Sequence, residues 1–278
     1  MLAPNGREMV QTFGDDFAAF RPWWPGKTGG MYRTTYKDGW YAKSHPLHYR
    51  CLPTNGERQL YVDPSLPGAP NPFVPKNGVL HITADRMTEA LKAALEPLQR
   101  DEHVDLSGDR YTSGVITTQP CFNQLYGYFE ARLKTPVGKG LWSAFWLQPT
   151  DLTHPPEIDV MENIGDPLKT HWASHSSRRN QWSIGGDVAL PPPDPEAKGF
   201  RTYSVSWDPR EIIWYVDRQE IARIPTPDDA HKPMYMILNL AVGGPLDWVG
   251  VPDASTKFPA ALEVHDWKAF QFPNLVPQ

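Results

Sequence analysis

Glu157, Asp159 and Glu162 are the residues of this sequence whose types and spacing could do chemistry. They lie in Pro155-Pro156-Glu157-Ile158-Asp159-Val160-Met161-Glu162-Asn163, which reads as a strand from its β-branched residues after a Pro-Pro start. Side chains alternate faces along a strand, so Glu157 and Asp159 share one face, and Ile158 and Val160 the other. Strict alternation puts Met161, not Glu162, on the acidic face. A one-residue bulge at Val160–Met161 returns Glu162 to it, and bulges often re-aim side chains beside active sites. Three carboxylates crowded in a cleft repel one another, so at least one can stay protonated near neutral pH. An ionised carboxylate beside a protonated one is what glycosidic bond cleavage uses. Spacing alone is weak ground: with 32 acids among 278 residues it arises by chance about 0.4 times, and on a solvated strand the same row is a charged patch. The apolar opposite face and the surrounding aromatics supply the context.

Other elements must position such a row. The chain has 30 prolines in 278 residues, roughly twice average usage, which argues against a mostly helical fold. One segment, Met87 to Leu98, reads as a minor helix ended near Pro97, with Leu91, Ala94, Leu95 and Leu98 at helical spacing. Elsewhere short strands alternate with turn residues: Gly78–Thr83, Tyr126–Lys134, Trp142–Leu147, Glu211–Val216, Gln219–Ile224, Met234–Val242 and Val264–Phe270. Asp217-Arg218 reads as the turn of a hairpin. Two Pro-rich stretches, 63–76 and 190–196, read as surface loops. With no repeat and no linker, residues 1–278 are expected to form a single all-β domain, a sandwich or barrel with a jelly roll as the commonest arrangement.

Composition narrows the partners. A net charge of −5 argues against nucleic acid or an anionic membrane. No run of about 18 apolar residues occurs, so no membrane span is expected. The 33 aromatics, 11 of them tryptophan, suit sugar rings as ligands, and equally suit a β core. No signal peptide is visible at the N-terminus. Cys51 and Cys121 either form one bridge or stay free. Zinc-finger, metalloprotease and nucleotide-site motifs are absent.

The segment Glu157-Ile-Asp159-Val-Met-Glu162 resembles the Glu-x-Asp-x-x-Glu signature of glycoside hydrolase family 16 in its bulged form, as in laminarinase-like members and bacterial exopolysaccharide endo-glycanases. Further likenesses run from about Phe13 to Phe270: Tyr126-Gly-Tyr-Phe-Glu-Ala-Arg-Leu-Lys-Thr-Pro136, Gly140-Leu-Trp-Ser-Ala-Phe-Trp-Leu147, Tyr203-Ser-Val-Ser-Trp207, Ile213-Trp-Tyr-Val-Asp217 and Ile237-Leu-Asn-Leu-Ala-Val-Gly-Gly244. The resemblance implies a jelly-roll β-sandwich of two bent antiparallel sheets with a concave substrate cleft. It implies a retaining endo-β-glycanase acting on β-linked polysaccharide through a covalent intermediate, as a monomer, outside the cell or in the periplasm. Glu157 would be the nucleophile, Glu162 the general acid and then base, and Asp159 the residue between them that holds the charge balance. A non-catalytic lectin and a transglycosylase with the same site are the competing readings.

The same resemblance extends to substrate-binding residues. Trp142 would stack on a sugar; Trp146, two residues on, shares its face. His171 and His175 share a face if their segment is a strand, and His175 would donate to a carboxylate or to substrate. Asn239 lies on an otherwise apolar strand and needs partners. Trp248 resembles a cleft-edge tryptophan. Asn55 and Glu57 resemble a sugar-contacting turn, and equally an ordinary Asn-Gly turn. Val115 stands where laminarinase-like members usually carry an arginine, which removes a bidentate donor to sugar hydroxyls. Ser143 replaces a proline. No catalytic cofactor is implied. A structural calcium is, through Asp16, Gly78 and Asp266, since oxygen-only ligands suit that ion.

Overall fold

A computed structural model describes residues 1–23, 29–36, 47, 49–50, 52, 55–102, 106–108, 111–178, 182–244 and 248–273. The strands are β1 Val10–Asp15, β2 Gln59–Tyr61, β3 Phe73–Lys76, β4 Val79–Arg86, β5 Tyr111–Ser113, β6 Val115–Thr117, β7 Gly127–Lys134, β8 Leu141–Pro149 and β9 Glu157–Asn163. They continue with β10 Lys169–His175, β11 Ser183–Ala189, β12 Arg201–Trp207, β13 Glu211–Val216, β14 Gln219–Pro225, β15 Met234–Val242 and β16 Ala260–Gln271. The described helix, α1, is Glu89–Glu102.

The strands form a jelly-roll sandwich. One sheet runs β14-β13-β12-β7-β16-β4-β5-β2, with β1 on β16 and β3 on β4. The other runs β11-β10-β9-β8-β15-β6. The pairings are antiparallel, with one departure from expectation: β2 and β5 pair in parallel, Gln59 opposite Tyr111 and Tyr61 opposite Ser113. Alternation explains the layering. Phe145 and Leu147 of β8, Ile158 of β9 and Leu238 and Leu240 of β15 point inward and meet Phe129, Val205 and Trp267 of the larger sheet. Trp207, Trp214 and Trp267 are fully buried there. Each large apolar side chain taken from water contributes about 1.5–3 kcal/mol, so this layer carries most of the cohesion between the sheets. The turn between β13 and β14 has both central residues at positive φ, Asp217 at 48° and Arg218 at 66°, as a tight two-residue hairpin requires.

The helix differs from expectation at its C-terminal end. It does not stop near Pro97 but continues through it to Glu102. Thr88 caps its start, its hydroxyl accepting from Leu91 N at 3.2 Å. Leu91 and Leu95 are buried against Leu60, Val62, Leu66 and Met87, and this packing outweighs the hydrogen bond that Pro97 cannot donate. The stretch 63–76 is not wholly loop, since Phe73–Lys76 pairs with β4. Beneath the helix, Arg50 and Asp63 form a buried ion pair at 2.8 Å, and the Asp63 carboxylate also accepts from Thr34 and Ser65. Cys121 is an exposed free thiol; Cys51 lies outside the described residues. No helix among the described residues is long and apolar enough to cross a membrane.

Candidate active site

The smaller sheet turns its other face away from the core, and β9 lays the three acids on it. The register shows how. Phe145 pairs with Met161 and Trp146 with Asp159, leaving Val160 as the extra residue of a bulge. The neighbouring ladder slips in step: His171 faces Glu162, Ala173 faces Asp159 and His175 faces Glu157. Val160 and Met161 both enter the core, which returns Glu162 to the face of Glu157 and Asp159. The apolar pair at 160–161 is what drives the kink, because a straight strand would bury Glu162 or expose Met161. The bulge is braced from the opposite sheet: Trp214 of β13 donates its indole N–H to the Asp159 carbonyl at 2.8 Å.

Each acid has its own surroundings. The Glu157 carboxylate lies between two imidazoles, with His154 Nδ1 3.3 Å from Oε2 and His175 Nε2 3.6 Å from Oε1. Asp159 is buried, its Oδ2 3.0 Å from His175 Nε2. Burial first, and the Glu157 charge second, raise the Asp159 carboxyl above the ordinary carboxylate range. Burial, then the Asp159 charge, raise Glu162 to about 8, against a smaller downward pull from Trp142. That pull is a hydrogen bond, Trp142 Nε1 donating to Glu162 Oε1 at 2.9 Å. Burial lowers the His175 pKa, but the hydrogen bond and charge of Asp159, with Glu157 and Glu162 adding, outweigh it and lift the imidazolium to about 9. Near neutral pH this row therefore holds a protonated Glu162 and a cationic His175.

Glu157, Asp159 and His175 offer ligand atoms within 4.8 Å of one another, a geometry that could hold a metal ion. The same trio stands as an ion cluster, with His175 Nε2 3.0 Å from Asp159 Oδ2 and 3.6 Å from Glu157 Oε1.

The remaining expected residues sort by position. Trp142 lines the row, and its ring meets Trp248 edge-on at 5.7 Å. Trp248 is half exposed and also meets the His171 ring at 4.3 Å. His171 Nδ1 pairs with Asp187 of β11, and burial lowers its pKa against that pairing. Trp146 and Asn239 are on the same face but buried: Trp146 Nε1 donates to Asn239 Oδ1 at 2.9 Å, and Asn239 Nδ2 donates to the Tyr61 hydroxyl at 3.0 Å. They form the floor of the site with Tyr36, Ala144 and Val115. Asn55 is exposed on the turn before β2. Glu57 is buried, and its carboxylate accepts from Gln59 Nε2 at 2.5 Å and Leu52 N at 3.4 Å. Gln59 in turn accepts from Val242 N at 2.7 Å, so the Glu57 turn fastens β2 to the end of β15.

The strand register brings Asp16, Gly78 and Asp266 toward one corner, since β1 ends at Asp15 opposite Trp267 and β4 pairs with β16 from Leu80 opposite Val264. Asp266 is already engaged there: Lys268 Nζ reaches one oxygen at 2.7 Å and His265 Nδ1 the other at 2.8 Å. Asp16 accepts from Ala18 N at 3.1 Å. A carboxylate held by an ammonium does not fit an oxygen-only calcium cage as it stands.

Three contributors escaped the sequence reading. His154 carries the signal that it is titratable and three residues before Glu157. Asp187 and Trp214 carry none, because only pairing across strands and across the sandwich brings them to β9 and β10.

Comparison with known proteins agrees with this geometry. The family model described as Glycosyl hydrolases family 16 matches residues 86–267. The chain is 41% identical over 240 residues to the endo-1,3-1,4-β-glycanase ExsH of Rhizobium meliloti, covering 85% of this chain and 47% of that protein. It is 38% identical over 273 residues to the endo-1,3-1,4-β-glycanase EglC of the same organism, covering 97% and 53%. The chain thus spans about half the length of these relatives. Among solved structures, the laminarinase catalytic domain of Thermotoga maritima superposes with a TM-score of 0.72 at 25% identity, covering 95% of this chain and 98% of that one. The endo-β-1,3-glucanase of Pyrococcus furiosus superposes with a TM-score of 0.73 at 25% identity, covering 98% and 97%. By sequence, fold and the placement of its acids, the chain belongs to glycosyl hydrolases family 16.

Proposed function

We propose that residues 1–278 act as one domain, a retaining endo-β-glycanase that cuts β-linked polysaccharide inside the chain. The observation that carries this is the kinked β9, which puts Glu157 and Glu162 on one face with Glu162 raised to about 8 and Glu157 not buried away from the open side. Glu157 attacks the anomeric carbon while Glu162 gives its proton to the departing glycosidic oxygen, and a glycosyl ester on Glu157 forms. Glu162, now ionised, takes a proton from water as that water attacks the same carbon and frees Glu157. Asp159 and His175 fix the Glu157 carboxylate and balance the charge between the two steps. Trp142 holds Glu162 in place and offers an indole face to a sugar.

The names of the relatives, endo-1,3-1,4-β-glycanases, support a polysaccharide with β-1,3 and β-1,4 linkages as substrate. A bacterial exopolysaccharide as that substrate, and a monomer working outside the cell or in the periplasm, are what the family resemblance implies. Val115, in the floor beside Asn239, puts an apolar side chain where laminarinase-like members usually carry an arginine, which favours a substrate other than laminarin. Calcium at the Asp266 corner would have to displace Lys268, so added calcium should raise Tm little over chelator; a rise of several degrees would restore a structural ion there.

Reducing-end release from laminarin, lichenan and bacterial exopolysaccharides, with proton NMR of the first-formed anomer, tests the reading. Release from at least one polymer with retained configuration is expected. Binding without release would make this a lectin domain, and products lengthened by added acceptor sugars would make it a transglycosylase.

A further inference from the structure

Three features meet at the Glu157 end of β9, outside the row of acids. His154, on the loop entering the strand, faces one carboxylate oxygen of Glu157 while His175 faces the other, and the two rings lie 6.0 Å apart. Trp182, just before β11, meets the His154 ring edge-on at 5.9 Å and keeps 55% of its surface exposed. Both carriers are tied to one short segment ahead of β15. Asp229 accepts from the Ser176 hydroxyl at 2.7 Å and from Ser177 N at 2.8 Å, and Ser176 N donates to the Trp182 carbonyl at 2.9 Å. Lys232 donates to Asp151 at 2.8 Å and to the Thr153 hydroxyl at 2.9 Å, fixing the loop that bears His154. A lone exposed apolar residue needs no explanation. An exposed indole whose carbonyl accepts from Ser176 N, touching a histidine that touches Glu157, does.

We propose that Trp182 and His154 form a further saccharide subsite at the Glu157 end of the cleft, Trp182 stacking on a pyranose ring and His154 positioning the Glu157 carboxylate. This rests on Glu157 being the nucleophile. The C–H face of a pyranose is apolar and flat enough to cover an indole, and the neighbouring imidazole supplies a polar edge for hydroxyls. The register gives the subsite its side. Ser183, next to Trp182, pairs with His175 of β10, on the flank of β9 opposite to β8, which carries Trp142. The two indoles stand on opposite flanks of the acids, so Trp182 contacts the half of the polysaccharide that Trp142 does not.

The test compares Trp182→Ala, Trp182→Phe, His154→Ala and His154→Gln on a polymeric substrate and on a short activated aryl β-glycoside, with Tm as the folding control. Trp182→Ala should lose about tenfold more kcat/KM on the polymer than on the aryl glycoside, mostly in KM, with Trp182→Phe restoring most of it. His154→Ala should lower kcat about tenfold on both substrates, with His154→Gln, which keeps an N–H in reach, restoring most of that loss. Equal losses on the two substrates for Trp182→Ala, or no loss, would overturn the platform. No loss in His154→Ala, or no rescue by His154→Gln, would overturn the positioning role. Should the wild type cleave nothing, the nucleophile reading fails separately, and retardation in polysaccharide-containing gels decides the platform: mobility of Trp182→Ala equal to wild type refutes it.

Discussion

On the proposed mechanism Glu162 is the residue on which the chemistry turns, because a general acid must keep its proton at the pH where its partner is charged. Burial and the Asp159 charge raise it to about 8, so it is protonated near neutrality. The alkaline limb of kcat/KM should therefore fall near pH 8; a limb at ordinary carboxylate values, about 4 to 5, would mean that another group donates the proton. Substitution separates the two glutamates. Glu157→Gln should lose about 10⁴-fold or more on every substrate, while Glu162→Gln should lose as much on polysaccharide but far less on an aryl glycoside whose leaving group needs no proton. Both variants should keep wild-type Tm within a few degrees, since neither truncates the core. Wild-type rates in either would remove the mechanism.

At the scale of the element, the bulge in β9 does the positioning, and Trp214 holds it from the far sheet through the Asp159 carbonyl. Trp214→Phe leaves a buried carbonyl without its donor. It should cost about 1–3 kcal/mol in stability and should lower kcat more than KM, because the acids shift relative to each other while the sugar platforms stay. An unchanged kcat at full occupancy of the fold would show that the bulge needs no brace. Much of this element was legible in advance. The conflict between acids at 157, 159 and 162 and strict alternation demanded a kink at Val160–Met161, and the ladder slips there. The long strands β7, β8, β13, β14, β15 and β16 announced themselves by period and composition. What stayed hidden was non-local or energetically balanced. The three-residue strands β2 and β5 have no period to read and are parallel partners far apart in sequence. The Asn55-Gly-Glu57 turn does not reveal in sequence that Glu57 is buried, because its partners Gln59 and Leu52 are set by how the turn folds back on β2. Pro97 marks a helix end by local rule, yet packing of Leu91 and Leu95 carries the helix past it.

For the whole molecule, the site and the scaffold respond to pH in opposite senses. His175 has a raised native pKa, so its contribution to stability is present below its unfolded value of about 6.5 and is lost as pH rises through about 9. Glu162 is stable protonated, so its contribution goes over the interval from about 4.5 to about 8. Burial raises the Asp63 carboxyl, but Arg50 and the Ser65 and Thr34 hydroxyls outweigh it and lower its pKa, so its contribution is present above about 3.9 and lost as pH falls. Tm should therefore peak in mildly acidic solution and fall on both sides. His175→Asn should flatten the decline between about pH 6.5 and 9; a decline unchanged in that variant would place the titrating group elsewhere.

The sandwich exists, on this account, to hold Glu157 where a sugar's anomeric carbon arrives. Trapping with a 2-deoxy-2-fluoro glycoside bearing a good leaving group, followed by peptide mass mapping, asks that directly, because the fluorine slows release of the ester. One glycosyl adduct on Glu157 is the predicted result. An adduct on Glu162, or turnover with no adduct and an inverted product, would contradict it.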